Sequence, residues 1–241
     1  ATCPQLWSPG ANLHRTPCSG RNFEYYSEDG FLSGKIAANS VYGMKTEGRY
    51  AFLKHYAAAE TETGRDSYYS WMSEQALREI YVKPFEIAVK EGGCVGIMSS
   101  YNRVGARWAG GSVGLQEGLL RNEWGFRGAI ITDFSDHNQY MNMNESIRMG
   151  GDLGMSTGLT SDYDNTGNRL DQEIRQAVKN VLYMWLNAEY TASTVNLDYV
   201  SSGSLGEPWI WWHPLLIDLT IIAFASCAFW AFLLVLGILK N

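Results

Sequence analysis

Short apolar runs alternate with amphipathic segments from the start of the chain to about residue 190. Five runs stand out, and each ends in a polar cluster: QLWSPGANLHR, RYAFLKH, CVGIMSSYN, GAIITD and DLGMS. Strands that alternate with helices favour a parallel sheet, because each crossover helix returns the chain to the same edge of the sheet. The alternation therefore predicts an α/β protein.

The segments between the runs have the apolar spacing of helices. They are FLSGKIAANSVYGMKTEG, SEQALREIYVKPFEIAVKEG, SVGLQEGLLRNEWG, MNESIRMGG and DQEIRQAVKNVLYMWLNAEY. The first is expected to end at Gly48. Ser73 is a suitable N-cap for the second, and Pro84 is expected to break that helix because proline lacks the N–H donor.

Repeated strand–helix units are typical of a (β/α)8 (TIM-like) barrel, whose active site is built from polar residues at the C-terminal strand ends. A closed barrel has more strands than these five runs supply, and a partial barrel leaves an open edge of unpaired backbone groups. We therefore expect residues 1–191 to form an incomplete (β/α)8 barrel segment that lacks its first strands. The missing strands come either from upstream sequence or from another chain.

One of the apolar runs ends abruptly on a carboxylate, at Asp133. At the C-terminal end of a barrel strand this residue would face the catalytic mouth. The alternative is that Asp133 caps the helix that follows. Asp136 and His137 come just after it and are interpreted as a solvated pair in a loop.

The C-terminal part of the chain predicts a membrane anchor. Residues 219–239 carry no charge over 21 positions and would span roughly 32 Å as a helix. The segment PWIWWHP precedes them as an aromatic belt, so residues 209–241 are interpreted as belt plus transmembrane helix, and residues 192–208 as a linker. Lys240 follows the span, which favours an extracytoplasmic N-terminal part. A buried core helix is the alternative for the span.

Composition excludes some classes of function. The net charge is −6 and the basic residues are scattered, so a nucleic-acid partner is not expected. The four cysteines form no CxxC pair, which disfavours a zinc site, and no metal or organic cofactor is expected. A disulfide between Cys3 and Cys18 stays open, because it depends on export.

Several blocks, in this order, resemble the catalytic barrel of glycoside hydrolase family 3 over roughly residues 7 to 190. They are GRNFEYYSEDGFLSGKIAAN, KHYAAAETETGRDS, EQALREIYVKPFEIAVKEGG, GIMSSYNRVGARWAGGS and LLRNEWGFRGAIITDF. The C-terminal helix makes the chain similar to bacterial members with permuted domain order, in which a second domain precedes the barrel and a membrane helix follows it. The resemblance implies a retaining, exo-acting β-glycosidase that hydrolyses terminal β-linked glucosides or xylosides at the cell surface.

The resemblance also implies roles for individual residues. Asp133 is expected to be the nucleophile, and it must stay ionised, so cations and hydroxyl groups are expected around it. Residues that match sugar-binding positions are Arg21, Lys54, His55, Arg65 and Tyr101. Asp152 and Met155 match a pair on the next strand and are expected to form the pocket floor, whereas His14 is expected to be structural. The acid/base usually comes from the second domain and is expected outside this segment.

Each sugar-site residue also has a purely structural alternative. The alternatives are a loop brace between Arg21 and Glu24, an exposed strand end for Lys54 and His55, a solvated helix approach for Arg65, and core packing for Tyr101.

The sequence departs from the family pattern in two places. Phe134 stands where the family commonly has tryptophan, and AAAETE stands where the family often has Asn-Gln-Glu. The absent acid/base and the incomplete barrel leave a second function open, that of a non-catalytic, membrane-anchored carbohydrate-binding or scaffold protein. One uncharged terminal helix is an anchor by default, so a transporter is disfavoured.

Overall fold

The computed structural model describes residues 5–135, 140–156 and 170–194, with side chains of the last helix described up to Asn187. The chain divides into two units, Ala1–Asn196 and Leu197–Asn241, and all described residues belong to the first.

The described strands lie in three parallel or mixed groups. They are β1 (Gln5–Leu6), β2 (Tyr50–Ala51), β3 (Leu53–Tyr56), β4 (Tyr69–Ser70), β5 (Gly96–Ser99), β6 (Arg103–Val104), β7 (Arg107–Trp108), β8 (Ala129–Phe134) and β9 (Leu153–Met155). The main sheet has the order β3-β5-β8-β9 and is parallel throughout. Strand β1 runs parallel to β2, and Gly10 bridges to Lys54, which extends the same arrangement to β3. All five predicted runs are therefore strands, and the parallel α/β prediction is confirmed.

The helices connect successive strands as the apolar spacing predicts. They are α1 (Gly30–Thr46), α2 (Glu74–Ala76), a π-helical turn (Leu77–Tyr81), α3 (Lys83–Lys90), a π-helix (Gly114–Glu123), α4 (Met143–Arg148), α5 (Asp171–Thr194) and the 3-10 turns Asn22–Glu24 and Ala109–Gly111. Ser73 caps α2, since its hydroxyl accepts from the N–H of Ala76 at 3.1 Å. Pro84 stands in the first turn of α3, so the predicted break is confirmed.

The main sheet is buried on both faces. Leu53, Ile97 and Ile130 point to one face, where they pack with residues of α1, α3 and the π-helix Gly114–Glu123. Their neighbours Phe52, Met98 and Ile131 point to the other face, where they pack with Met184 of α5. Burial on both faces explains why these runs are apolar without interruption, and each fully buried side chain contributes about 1.5–3 kcal/mol.

Close packing of α1 on α3 requires a glycine in the middle of α1. A Cβ atom at Gly34 would lie 2.6 Å from Cδ1 of Ile87. A larger side chain would push the two helices apart, which outweighs the usual cost of glycine inside a helix.

The structure extends the sequence prediction in one place and shifts it in another. The small sheet β4-β6-β7 was not predicted, because its strands are only two residues long and carry no readable alternation. Helix α5 reaches Thr194, so the first three residues of the predicted linker 192–208 are helical.

The predicted anchor lies outside the described residues, as do the aromatic belt and the rest of the linker. Within residues 5–135, 140–156 and 170–194, no helix combines the length and apolar character that crossing a bilayer requires. Cys18 is exposed, and its possible partner Cys3 is not among the described residues.

Candidate functional site

Parallel strands bring the predicted site residues to one edge of the sheet. Lys54 and His55 lie in β3, Asp133 is the penultimate residue of β8, and Tyr101 follows β5, which lies between these two strands. Side chains that are far apart in sequence thus meet at the C-terminal strand ends. Asp133 belongs to the strand itself, so the alternative of a helix cap is wrong.

Asp133 and His55 face each other directly. The Oδ2 atom of Asp133 lies 3.6 Å from Nε2 of His55, just beyond hydrogen-bond length. His55 is buried, and burial together with the nearby charges of Arg21, Lys54 and Arg65 holds its pKa well below the usual value. The imidazole is therefore neutral, and the pair is not a salt bridge. A proton on Nε2 lets the ring donate toward Asp133.

The hydroxyl of Tyr25 fixes the other side of the His55 ring. It lies 3.3 Å from Nδ1 of His55 and 3.4 Å from the carbonyl oxygen of Ala59. The two rings also meet edge to face, with centroids 6.4 Å apart. The single hydroxyl proton can be donated either to the Ala59 carbonyl, with Nδ1–H of His55 donating to the hydroxyl oxygen, or to Nδ1, with the imidazole proton on Nε2.

Burial raises the pKa of Asp133, although several groups oppose the shift. The Phe134 N–H donates to Oδ1 at 2.8 Å, and the charges of Arg65, Arg21 and Lys54 lower the pKa. The expectation that cations surround Asp133 is confirmed. Their effect offsets only part of the burial penalty, so this carboxylate is held in an unfavourable, partly dry environment.

The three cations form a network with two glutamates. Arg21 bonds to Glu24 through Nε and lies 3.5 Å from Glu62, while Lys54 lies 3.9 Å from Glu24. Arg65 is 2.8 Å from Glu62. The loop brace between Arg21 and Glu24 thus exists, but it forms part of the wall around Asp133 rather than an alternative to it.

Tyr101 completes the wall. It is 7% exposed, and the guanidinium of Arg65 lies 4.4 Å from the centre of its ring. Burial raises the pKa of its hydroxyl, and the Asp133 carboxylate raises it further through its charge and a hydrogen bond. Tyr101 is therefore packed in the core, as the structural alternative predicted, and it also lies beside Asp133 in the candidate site.

An outer layer of aromatic residues supports Tyr101. The hydroxyl of Tyr140 donates to the Tyr101 carbonyl at 3.0 Å. The guanidinium of Arg103 lies 4.0 Å from the Tyr140 ring centre and 5.1 Å from that of Tyr69. Phe134 packs with Tyr101 in the same cluster. The sequence carried no signal for this layer, because its members come from separate elements.

Two other predictions have different outcomes. Asp152 was expected at the pocket floor, but it precedes β9 and binds the N–H of Ile130 at 2.7 Å. Ile130 and Asp133 are three residues apart on β8, about 10 Å along the strand, so Asp152 lies toward the opposite end of the sheet. His14 bonds to the carbonyl oxygen of Tyr25 at 2.9 Å, which confirms the structural role.

Asp136 and His137 lie outside the described residues. Within the described ranges, no group of three or more His, Cys, Asp or Glu side chains is arranged to hold a metal ion.

Comparisons with known proteins identify the family. The sequence pattern described as "Glycosyl hydrolase family 3 N terminal domain" matches residues 3–182. Beta-glucosidase B of Emericella nidulans is 43% identical over 150 residues, which cover 62% of this chain and 17% of that protein. Beta-glucosidase A of Butyrivibrio fibrisolvens is 41% identical over 174 residues, covering 70% and 21%.

Solved structures give the same result. A beta-glucosidase from Paenibacillus barengoltzii superposes with a TM-score of 0.70 at 38% identity, covering 78% of this chain and 22% of that one. Beta-glucosidase 3B from Thermotoga neapolitana, in complex with glucose, gives 0.68 at 35% identity, covering 78% and 28%. This chain spans about a fifth of the length of the curated relatives. The α/β barrel-like arrangement is that of these relatives, and the chain belongs to glycosyl hydrolase family 3, carrying the family's N-terminal domain.

Proposed function

We propose that the chain carries the nucleophile part of a retaining, exo-acting β-glycosidase that acts on terminal β-linked glucosides or xylosides. The observation that supports this most is the setting of Asp133. It is a partly buried carboxylate at a strand end, faced by a neutral His55 and by the charges of Arg21, Lys54 and Arg65. A carboxylate in that setting suits covalent attack on a sugar ring bound among hydroxyl-binding side chains.

The proposed reaction has two steps. In the first, an Asp133 oxygen forms a bond to the anomeric carbon, the glycosidic C–O bond breaks, and an acid protonates the leaving oxygen. In the second, the same group takes a proton from water, and the water oxygen displaces Asp133 from the sugar. Two inversions at one carbon give net retention.

The remaining site residues are proposed to bind the sugar. Lys54, Arg21 and Arg65 supply donors from three different segments, and His55 and Tyr101 supply neutral ones. Donors fixed before binding stabilise charge that develops on the ring without further reorganisation. The glucose complex of the Thermotoga neapolitana relative makes glucosides the first substrates to test.

The acid/base is proposed to lie outside this segment. Glu24 and Glu62 are the carboxylates closest to the cations, and each is engaged by two of them. Carboxylates held in these ion pairs are not free to approach the leaving oxygen of a substrate. We also propose that missing barrel strands and a second domain come from upstream sequence or another chain. Among the described residues, β1 pairs only with β2, and β9 only with β8, which leaves both edges free for further strands.

The membrane part of the proposal rests on sequence. The uncharged span 219–239, the preceding tryptophans and Lys240 support a bacterial protein of the permuted-domain type, anchored by one helix with its catalytic part outside the cytoplasm. Protease treatment of intact cells tests this placement. Loss of the catalytic part with survival of a short C-terminal fragment is expected, and full protection of the catalytic part contradicts it.

Replacement of Asp133 by glycine tests the catalytic proposal in the full-length protein. Turnover of an aryl β-glucoside is expected to vanish and to return in part with added azide, giving the α-glucosyl azide, because azide replaces the missing nucleophile. Glu91→Gln is the control, since Glu91 is exposed and pairs with Lys35, at 2.6 Å, far along the chain from the site residues. Unchanged turnover in Asp133→Gly contradicts the proposal.

A non-catalytic carbohydrate-binding or scaffold protein is the second candidate. It is favoured by the engagement of Glu24 and Glu62, which leaves the described part of the chain with no evident acid/base. It predicts that the full-length protein binds glucose but forms no covalent adduct with an activated glycosyl fluoride. An adduct at Asp133 rejects this candidate.

A further inference from the structure

A buried amide joins His55 to a carboxyl group that the proposed reaction does not use. Asn12 follows β1 and is fully buried. Its Oδ1 accepts from the His55 N–H at 2.6 Å, and its Nδ2 donates to the His55 carbonyl at 3.0 Å. The same Nδ2 lies 3.4 Å from Oε1 of Glu60. One side chain therefore holds both backbone groups of His55 and contacts Glu60.

The orientation of this amide is fixed by its partners. The His55 N–H can only donate, so it requires the amide oxygen of Asn12, and the His55 carbonyl can only accept, so it requires the amide nitrogen. The nitrogen that faces Glu60 follows from these two contacts. Glu60 can thus receive a hydrogen bond from Asn12 whether the carboxyl is ionised or protonated.

Glu60 is buried, but it lies at the wall of an open cleft. The cleft has a volume of about 480 Å³ and is lined also by Arg15, Tyr68, Trp71 and Tyr81. Burial raises the pKa of Glu60 to about 7, although hydrogen bonds from Asn12 and from the backbone N–H groups of Leu13 and Glu60, together with the charge of Arg15, act to lower it. The Glu60 carboxyl group therefore lies between the cleft and the side chain of Asn12.

We propose that Asn12 and Glu60 are positioning residues that hold His55 in its place opposite Asp133. The inference rests on the proposed function, because it concerns the geometry of the same nucleophile. Asn12 fixes the backbone of His55 from the β1 side, and Tyr25 fixes the ring. Together they set the 3.6 Å separation between Nε2 and Asp133.

Loss of either hydrogen bond between Asn12 and the His55 backbone is expected to let the end of β3 shift. A shift on the order of 1 Å in a catalytic group can cost about 100-fold in rate, so the effect is expected on chemistry rather than on sugar binding. Asn12 touches neither Asp133 nor the sugar in this account and acts only through His55.

The experiment measures how fast a 2-deoxy-2-fluoro-β-glucosyl fluoride labels Asp133 in the full-length protein. Asn12→Asp keeps the acceptor for the His55 N–H but loses the donors and places two carboxyls together. Its first-order labelling rate is expected to fall about 100-fold, with the dissociation constant of the reagent changed little. Glu60→Gln alone keeps an acceptor for Asn12 and is expected to label at nearly the wild-type rate.

The double variant Asn12→Asp/Glu60→Gln provides the rescue. Its glutamine N–H can donate to the new carboxylate, which restores the contact with donor and acceptor exchanged. About tenfold recovery over Asn12→Asp is expected. Phe85→Leu, a core change in α3, is the control for general destabilisation and is expected to lower Tm without slowing labelling.

The outcomes separate the two proposals. If the wild-type protein is not labelled at Asp133, the proposed function fails. If the wild type is labelled, and Asn12→Asp is labelled equally fast, or is slowed without any recovery in the double variant, the positioning role is wrong.

Discussion

Two aspartates at neighbouring parallel strands differ in their surroundings: Asp152 is buried just before β9, and Asp133 is partly buried near the end of β8. Asp152 accepts hydrogen bonds of 2.7 Å from Arg121, from Asn180 and from the N–H of Ile130, and its side chain is 1% exposed. Asp133 accepts a hydrogen bond of 2.8 Å from the Phe134 N–H and another from the Tyr101 hydroxyl, faces His55 at 3.6 Å, and has a side chain that is 13% exposed. The pKa of each is raised by burial, for Asp152 to about 6.

The difference shows how to distinguish a structural carboxylate from a reactive one. Asp152 joins three elements, namely β8, the π-helix Gly114–Glu123 and α5, and its bonding capacity is used by fixed donors. Asp133 keeps capacity for a substrate and draws on charges at a distance. A raised pKa alone would not separate the two residues, whereas the direction and number of their donors does.

The largest expected effect is the loss of turnover in Asp133→Asn. Removal of a nucleophile is expected to reduce kcat for an aryl β-glucoside by a factor on the order of 10³–10⁴. The free energy of unfolding is expected to stay the same or rise, because a buried charge is removed. Steady-state kinetics and denaturant unfolding on one preparation measure both quantities. A stable variant with wild-type kcat would contradict the assignment of Asp133 as the reactive carboxylate.

Asp152→Asn is expected to have the opposite profile. Removing the charge of Asp152 leaves Arg121 with the more distant carboxylate of Glu117, at 3.5 Å, and the loss of the buried pair is expected to lower the free energy of unfolding by about 3 kcal/mol. At temperatures where the variant is folded, kcat is expected to match the wild type. A selective loss of kcat without a loss of stability would place Asp152 in the reaction and contradict the structural assignment.

Glu60 offers an intermediate case, since the hydrogen bond that it accepts from the Asn12 side chain is long, at 3.4 Å. Its pKa is raised by burial from 4.5 to about 7, so the folded state favours the protonated form. The resulting stability is present below pH 4.5 and is lost as the pH rises to 7, by on the order of 3 kcal/mol. Denaturant unfolding across this range is expected to show the decline, and Glu60→Gln is expected to flatten it.

The smallest effect is expected from Arg65→Lys. Lysine keeps the charge beside Glu62 but loses the planar group that lies 4.4 Å from the Tyr101 ring. The lost contact contributes about 0.5–1 kcal/mol. If this free energy supports sugar binding, KM is expected to rise roughly two- to fivefold with kcat nearly unchanged. An unchanged KM would show that the stacked geometry does not contribute to sugar binding.

The sequence predicted much of the fold because apolar runs and helical spacing are both local patterns. Apolar runs and helical spacing located the five main strands and their helices, and the carboxylate at the end of GAIITD indicated the strand end where the candidate site lies. The contacts of Asn12 with His55 and Glu60 join positions 43 and 48 residues apart, and no local pattern reports such contacts.

The sequence contained information that would have placed Asp152 correctly. Asp133 is the last residue of its run, GAIITD, whereas Asp152 is the first residue of its run, DLGMS. In parallel strands those positions belong to opposite ends of the sheet, so the order of polar and apolar residues already separated the two. The family resemblance, which matched Asp152 to a residue pair on the next strand, outweighed this local evidence in the sequence prediction.

The most direct test of the central claim compares covalent trapping in the full-length wild-type protein and in Asp152→Asn. Both proteins are treated with 2-deoxy-2-fluoro-β-glucosyl fluoride, digested and mapped by mass spectrometry. We predict the same single adduct in both, on Asp133 within the peptide that contains residues 129–134. An adduct on any other side chain, or none in the wild type, would contradict the assignment of Asp133 as the nucleophile.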